Sequence, residues 1–168
     1  MSKDEFVFES NVEVVKGELR EKAIAWLYEA SMELTAQTQK RSRVGKVSGG
    51  QTKASYKYRV NKETLKAFVG SDMENAIWEE YGTGEYAVKG DGRKGSWYVL
   101  VGNGPGKISP KVVEAYGFHV IKGKGGKEYV KFKGKRPNRP MQLAYDNLKP
   151  KLIRLARARF RQLKGLSE

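Results

Sequence analysis

Residues 11–40 read NVEVVKGELREKAIAWLYEASMELTAQTQK, and this stretch decides the fold class. Its apolar residues recur at steps of three and four, the spacing that places side chains on one face of an α-helix. They are Val12, Val15, Leu19, Ala23, Trp26, Leu27, Ala30 and Leu34. Charged residues fill the opposite face, so the pattern predicts a long amphipathic helix that must bury its apolar stripe against another element.

A second amphipathic helix is predicted near the end of the chain, over residues 140–163. Its apolar stripe comprises Met141, Tyr145, Leu148, Leu152, Leu155 and Leu163. Pro150 lies inside this pattern, and because proline lacks the backbone N–H we expect it to kink or split the helix.

Alternating segments between the two helices predict antiparallel strands at 55–60, 65–70 and 96–101, and a hairpin of 118–122 with 128–132. Residues 76–81 fit either a strand or a helical turn, and 110–116 fit one helical turn. The sum predicts a single α+β domain over residues 1–168, in which an antiparallel twisted sheet packs on one face against the long N-terminal helix and the C-terminal helix. Residues 1–10 are predicted to be flexible, and 41–54 and 84–95 to be mobile loops.

The 168 residues carry a formal net charge of +14, and the charge is unevenly distributed. The net charge is −4 over residues 1–35, +6 over 36–120 and +12 over 121–168. Such asymmetry fits contact with nucleic acid, head-to-tail packing of subunits, or a solvated surface. The absence of cysteine excludes disulfides and thiolate metal sites. No apolar run is long enough to span a bilayer, and the first residues do not resemble a signal peptide, so we expect a protein made and used inside the cell.

The sequence offers little for catalysis. The segment 102–107 resembles a phosphate-binding loop but has Val101 and Ile108 where that motif requires Gly and Ser or Thr. The segment 82–87 has dinucleotide-motif spacing, but the residues after it cannot open the required helix. His119 is the only histidine, so no metal cluster or catalytic triad is indicated. The acidic group of Glu79, Glu80 and Glu85 has no matching second cluster, which favours surface charge. We therefore predict no enzyme activity, no metal and no cofactor.

Basic residues surround the stripe of the C-terminal helix, with no acidic residue between Lys149 and Ser167. They are candidates for contact with phosphate or an acidic partner, or form the solvated face of a core helix: Lys149, Lys151, Arg154, Arg157, Arg159, Arg161 and Lys164. Aromatic residues that alternate with Lys or Arg on the strands fit base stacking, but such residues more often face the core: Tyr56, Tyr58, Tyr98, Tyr129 and Phe132.

Two segments resemble signatures of a known family. Residues 75–83 read NAIWEEYGT, similar to an aromatic-acidic-aromatic-Gly-Thr signature, and 136–144 read RPNRPMQLA, similar to a Pro-aromatic-Leu stretch that opens a final helix. The chain resembles the neck or tail-component proteins (head–tail joining, tail completion) of long-tailed bacteriophages and prophages, over residues 11–163. It departs from them at Met141, where an aromatic is usual, and at residues 43–45, which replace an Asp-Thr-Gly stretch.

The resemblance implies a structural virion protein of the head–tail junction, made in the host cytoplasm. Family members assemble into rings, commonly hexameric, that dock to other connector and tail proteins, while DNA is a secondary partner and a membrane is not one. The motif residues are Glu80, Tyr81, Gly82, Thr83 and Pro140, of which the Gly-Thr pair is expected to fix a turn. The expected docking loops carry Arg41, Arg43, Lys46, Lys53, Glu85, Lys89 and Arg93. The alternative is a nucleic-acid-binding protein that uses the C-terminal basic helix.

Overall fold

The computed structural model of the chain describes residues 12–161. Five α-helices and five β-strands succeed one another in this range: α1 Val12–Arg41, α2 Gln51–Ser55, β1 Lys57–Asn61, β2 Lys66–Gly70, α3 Glu74–Tyr81, β3 Trp97–Leu100, α4 Pro110–Tyr116, β4 Val120–Lys122, β5 Glu128–Phe132 and α5 Pro140–Arg161. The predicted α+β class is confirmed. The expected flexibility of residues 1–10 concerns a segment outside the described residues.

The described strands form two antiparallel sheets rather than one continuous sheet. β1 and β2 form a hairpin in which Tyr58 pairs with Val69, and the other sheet has the order β3-β5-β4. The chain leaves the hairpin at once after β2, because Ser71 Oγ accepts a hydrogen bond from Met73 N (3.0 Å) and α3 follows. The ambiguous segment 76–81 therefore belongs to a helix, and this helix separates the two sheets.

The long helix α1 lies between the hairpin and α5. Its apolar stripe is half-buried except at Val12 and Leu19, which are exposed. Trp26 Nε1 donates a hydrogen bond to the Leu152 carbonyl oxygen of α5 (3.1 Å). The most buried residues of α1 are small hydroxyl residues, Ser31, Thr35 and Thr38. Each donates to the carbonyl oxygen four residues earlier, at 2.6 to 2.8 Å. These internal bonds satisfy the hydroxyls, so the C-terminal half of α1 packs closely without large side chains.

The final helix α5 continues through Pro150, so of the two outcomes expected from this proline, a kink or a split, the split does not occur. Pro150 is exposed, while Ala144, Leu148 and Leu152 are buried. The proline ring therefore stands on the solvent side, and packing of the opposite face holds the helix together despite the missing backbone N–H. Leu163 of the predicted stripe lies outside the described residues.

The expected loop over residues 41–54 is wrong at both ends. Arg41 is the last residue of α1, and Lys53 lies in the short helix α2. Gly49 and Gly50 have positive φ values of 61° and 90°, which glycine tolerates without steric cost, and they turn the chain into α2. The hairpin at the end of the sheet is confirmed, with strands β4 and β5.

Candidate functional site

The carboxylate of Glu80 joins α3 to the start of α5. Its two oxygens accept hydrogen bonds from the backbone N–H groups of Met141 and Gln142, both at 2.9 Å. These N–H groups belong to the first turn of α5, which has no internal partners for them. The negative charge also lies at the positive end of the helix dipole. Glu80 therefore caps α5 from a position sixty residues earlier in the chain, and the fully buried Pro140 begins that helix.

The neighbouring residues of the same motif complete this α3–α5 junction. The carbonyl oxygen of Glu79 accepts hydrogen bonds from Asn138 N (2.7 Å) and Arg139 N (3.1 Å). Thr83 N donates to the Lys135 carbonyl oxygen, and Lys135 N donates back to Thr83 Oγ1, both at 2.9 Å. Residues 79–83 and 135–142, which are far apart in sequence, are thus held together by reciprocal backbone contacts.

Glu79 and Glu80 are buried, with exposed fractions of 5% and 8%, so their interpretation as surface charge is wrong. Glu79 forms an ion pair and hydrogen bond with Lys135 Nζ, and Glu80 accepts two backbone hydrogen bonds at the start of α5. A buried carboxylate requires such partners because losing its hydration is costly. Glu85 is exposed, as expected, and lies 3.9 Å from Lys133 Nζ.

Tyr56 is a buried phenol beside this acidic pair. Burial raises the pKa of Tyr56, and the nearby carboxylates of Glu80 and Glu79 raise that pKa further, whereas the Ser42 hydroxyl opposes the shift. All of these influences act on the phenolate, the charged form. Tyr56 therefore belongs to the interior, as we predicted for the alternating aromatics, whereas Tyr58 on β1 and Tyr98 on β3 are exposed, so the prediction is wrong for these two residues.

The basic residues of α5 divide into two groups. Lys151 Nζ lies 3.2 Å from Glu33 Oε1, and Arg159 Nε donates to Glu29 Oε2 at 3.1 Å, so these two cations join α5 to α1. Four others are exposed, and the described residues provide them with no ion pair: Lys149, Arg154, Arg157 and Arg161. Arg154, Arg157 and Arg161 follow each other at steps of three and four and so share one side of the helix. Lys164 lies outside the described residues.

The residues of the expected docking loops are spread over several elements. Arg43, Lys46, Lys89 and Arg93 are exposed. Lys46, Lys89 and Arg93 each lie over an aromatic ring, those of Tyr116, Tyr81 and Trp97, at 5.3 to 5.6 Å from the ring centre. The segment 84–95 is not a loose loop at its start, because residues 84–86 form a turn in which Glu85 N donates to the Lys133 carbonyl oxygen (2.9 Å).

A groove of about 680 Å³ lies between α3, α4 and the three-stranded sheet. Aromatic side chains dominate its walls: Trp78, Trp97, Tyr116, Phe118 and Phe132. We call it the aromatic groove. Phe118 packs against both Tyr116 and Phe132, with ring centres 5.7 and 5.2 Å apart. The sequence did not reveal this groove, because its residues come from five separate segments, although the apolar strand 96–101 and the aromatic pair at 116 and 118 were visible signals.

Within residues 12–161, no group of three or more His, Asp or Glu residues is placed to hold a metal ion. His119 is exposed. No helix in the described part of the chain combines the length and the apolar character needed to cross a bilayer. Comparison with protein-family models, with curated proteins and with solved structures finds no match to this chain.

Proposed function

We propose that this protein is a structural subunit of the head–tail junction of a long-tailed bacteriophage, which acts by assembling into a ring and docking to connector or tail proteins. The observation that carries the proposal is the α3–α5 junction. The resemblance to neck proteins depends on two segments, 75–83 and 136–144, and the contacts of Glu79 and Glu80 hold these segments together. If the two segments belong to one signature, they are expected to lie together in the fold, and their contact supports the proposal.

Exposed apolar side chains give a second line of support. Ile77, Trp78 and Tyr81 lie on the outer side of α3, and each exposes more than two fifths of its surface. Exposed apolar side chains on one helix are typical of a surface that binds another protein. α3 therefore secures α5 with its inner carboxylates and offers an apolar face on its outer side.

The distribution of charge supports directional contact between copies. The chain has a net charge of −4 over residues 1–35 and +12 over 121–168. Two of the acidic residues in 1–35, Glu29 and Glu33, pair with Arg159 and Lys151 of the adjacent helix α5, so the charges outside these pairs are the ones that can attract a neighbouring copy and steer the encounter. A contact between two different surfaces repeats from copy to copy, and it closes into a ring when the rotation between copies permits.

Light scattering on a size-exclusion column tests the proposal, at several protein concentrations and with and without duplex DNA. We expect a mass corresponding to several copies that increases with concentration and does not change with DNA. A protein that remains monomeric at every concentration and forms a complex with DNA near 150 mM salt would overturn it.

The second candidate function is nucleic-acid binding, favoured by the three arginines Arg154, Arg157 and Arg161 on the open side of α5. Each phosphate contact contributes about −0.9 to the slope of log K against log salt. If this function is correct, replacing all three by Ala makes that slope shallower by about 3. The matched control replaces three exposed lysines of the β4–β5 hairpin, Lys122, Lys124 and Lys127, by Ala. Equal effects of the two triple variants would contradict a specific role for α5.

A further inference from the structure

The aromatic groove has a basic rim. Lys46 Nζ lies 5.6 Å from the centre of the Tyr116 ring, and the Arg93 guanidinium lies 5.3 Å from the centre of the Trp97 ring. Both rings line the groove, and neither cation is among the lining residues, so each cation lies beside a ring of the groove wall. Both side chains are exposed, and the described residues offer neither an ion-pair partner. The groove therefore fits an apolar segment that is flanked by negative charge.

The chain itself contains one such segment. Residues 4–9 read DEFVFE, in which two phenylalanines and a valine stand between acidic residues on both sides. Apolar side chains would enter the groove, and Asp4, Glu5 and Glu9 would face the basic rim. The other terminal segment, 162–168, reads QLKGLSE and has no net charge, so it lacks the complementarity to this rim.

The groove lies near the C-terminal end of α1. Asn138 Nδ2 donates to the Arg41 carbonyl oxygen (2.8 Å), and Lys135, three residues before Asn138, lines the groove. Residues 4–9 precede the opposite end of the same helix. A helix of 30 residues is about 45 Å long, whereas six extended residues, from Val12 back to Phe6, cover only about 20 Å. The segment therefore cannot reach the groove of its own chain.

We propose that residues 4–9 of one copy occupy the aromatic groove of a second copy of this chain. Phe6 and Phe8 are the apolar anchors, and Lys46 and Arg93 receive the flanking carboxylates. The contact joins two different surfaces, so it repeats from copy to copy. It deepens the proposed ring function, on which it rests, by naming the two surfaces through which copies associate.

The test uses two full-length proteins and one peptide. The receptor is the full chain with Phe6→Ser and Phe8→Ser, which leaves its own groove empty, and the probe is a fluorescein-labelled peptide of residues 1–11, followed by anisotropy. We expect saturable binding, and affinity lower by about thirtyfold when the peptide itself carries both Phe→Ser changes, the loss typical of a buried aromatic anchor. Trp78→Ala in the receptor should weaken binding similarly. Phe68→Ala, at an exposed phenylalanine on β2 outside the groove, is the matched control and should leave affinity unchanged.

A charge exchange tests the orientation at the rim. A receptor that also carries Lys46→Glu and Arg93→Glu should lose affinity for the natural peptide, and a peptide with Asp4→Lys, Glu5→Lys and Glu9→Lys should recover it. Absence of binding at 1 mM peptide, or binding that Trp78→Ala leaves unchanged, would overturn the proposal.

Light scattering separates this proposal from the ring function itself. The Phe6→Ser, Phe8→Ser protein is expected to lose the higher mass of the wild-type chain, while Phe68→Ser retains it. If the double variant still associates as the wild type does, the groove contact is wrong and ring assembly through another surface stands.

Discussion

Gly82 occupies a backbone conformation that other residues rarely adopt, with φ 70° and ψ −178°. A Cβ atom there would approach the carbonyl oxygens of Lys135 and Tyr86 to 2.8 Å. The glycine thus lets the chain turn sharply after α3 while it passes close to the backbone of Lys135. The sequence was enough to predict a turn at this position, but not the backbone groups packed against it.

Replacing Gly82 by Ala should lower the free energy of unfolding by about 3 kcal/mol, because the backbone region is strained for any residue with a Cβ atom. Urea denaturation measures this loss. The matched control is Gly17→Ala in α1, where no atom lies within 4 Å of the added Cβ. That change should raise the free energy of unfolding by about 1 kcal/mol. A Gly82→Ala protein as stable as the wild type would contradict the proposed role of the turn.

Tyr56 gives a prediction for alkaline pH. Its pKa is raised in the folded protein, chiefly by burial, above the value of about 10 expected in the unfolded chain. The buried neutral phenol of Tyr56 therefore stabilises the folded state fully at pH values below about 10. As pH rises from there toward the folded pKa, Tyr56 ionises first in the unfolded chain, so the free energy of unfolding falls. The free energy of unfolding should fall less steeply between pH 9 and 11 in Tyr56→Phe than in the wild type. Parallel curves from urea titrations at each pH would show that Tyr56 does not contribute.

The burial of Glu79 and Glu80 could not be predicted from the sequence. Three acidic residues with no second cluster are usually surface charge, and Glu85 follows this rule. Glu80 differs because its partners are backbone N–H groups of α5, sixty residues away. Main-chain donors leave no pattern in the sequence, so only the tertiary structure identifies the capping role.

At the scale of elements, the spacing of apolar residues along the sequence was sufficient to predict the helices α1 and α5 and the hairpin β1–β2. It failed where packing rather than pattern decides the conformation. Pro150 predicted an interruption of the helix, yet α5 is continuous because the face opposite Pro150 is buried against α1. Ser31, Thr35 and Thr38 lay outside the predicted stripe, yet they form the closest-packed part of α1 because their hydroxyls bond within the helix.

Pro150→Ala should stabilise α5. The change restores a backbone N–H that can donate to the carbonyl oxygen four residues earlier and removes the clash of the proline ring. Pro150 is exposed, so no buried contact is lost. We expect the free energy of unfolding to rise by about 1–3 kcal/mol, measured by urea denaturation. The control is Lys149→Ala, an exposed neighbour with little expected effect. Destabilisation by Pro150→Ala would mean that α5 depends on a bend at this residue.

At the scale of the whole molecule, the charge asymmetry is visible in the sequence. Only the structure shows which charged side chains form ion pairs within the fold and which are exposed without one. Glu29 and Glu33 of α1 bind Arg159 and Lys151 of α5, so they are not available to a partner. The aromatic groove was not predictable, because it forms only when five distant segments meet.

If copies associate as proposed, the association should weaken with salt, because exposed charges would steer it and the screening length falls from about 10 Å at 0.1 M to about 3 Å at 1 M. We expect the association constant, measured by analytical ultracentrifugation, to fall between 50 mM and 500 mM NaCl. Sodium sulfate at low concentration, matched for ionic strength, is the control for specific effects of chloride. An association constant that rises across this range would indicate a purely apolar contact.

The pairing of α1 with α5 also has a consequence during synthesis. α1 leaves the ribosome early, but roughly 100 residues separate it from α5. At about 5–20 residues per second, the ribosome needs about 5–20 s to synthesise these intervening residues before it reaches α5. During this interval the hairpin β1–β2 can cover one side of α1, while the side that carries Trp26 has no partner in the chain. The packing of α1 is therefore expected to be completed only once α5 has emerged, and a chain stalled before residue 140 would be a substrate for chaperones.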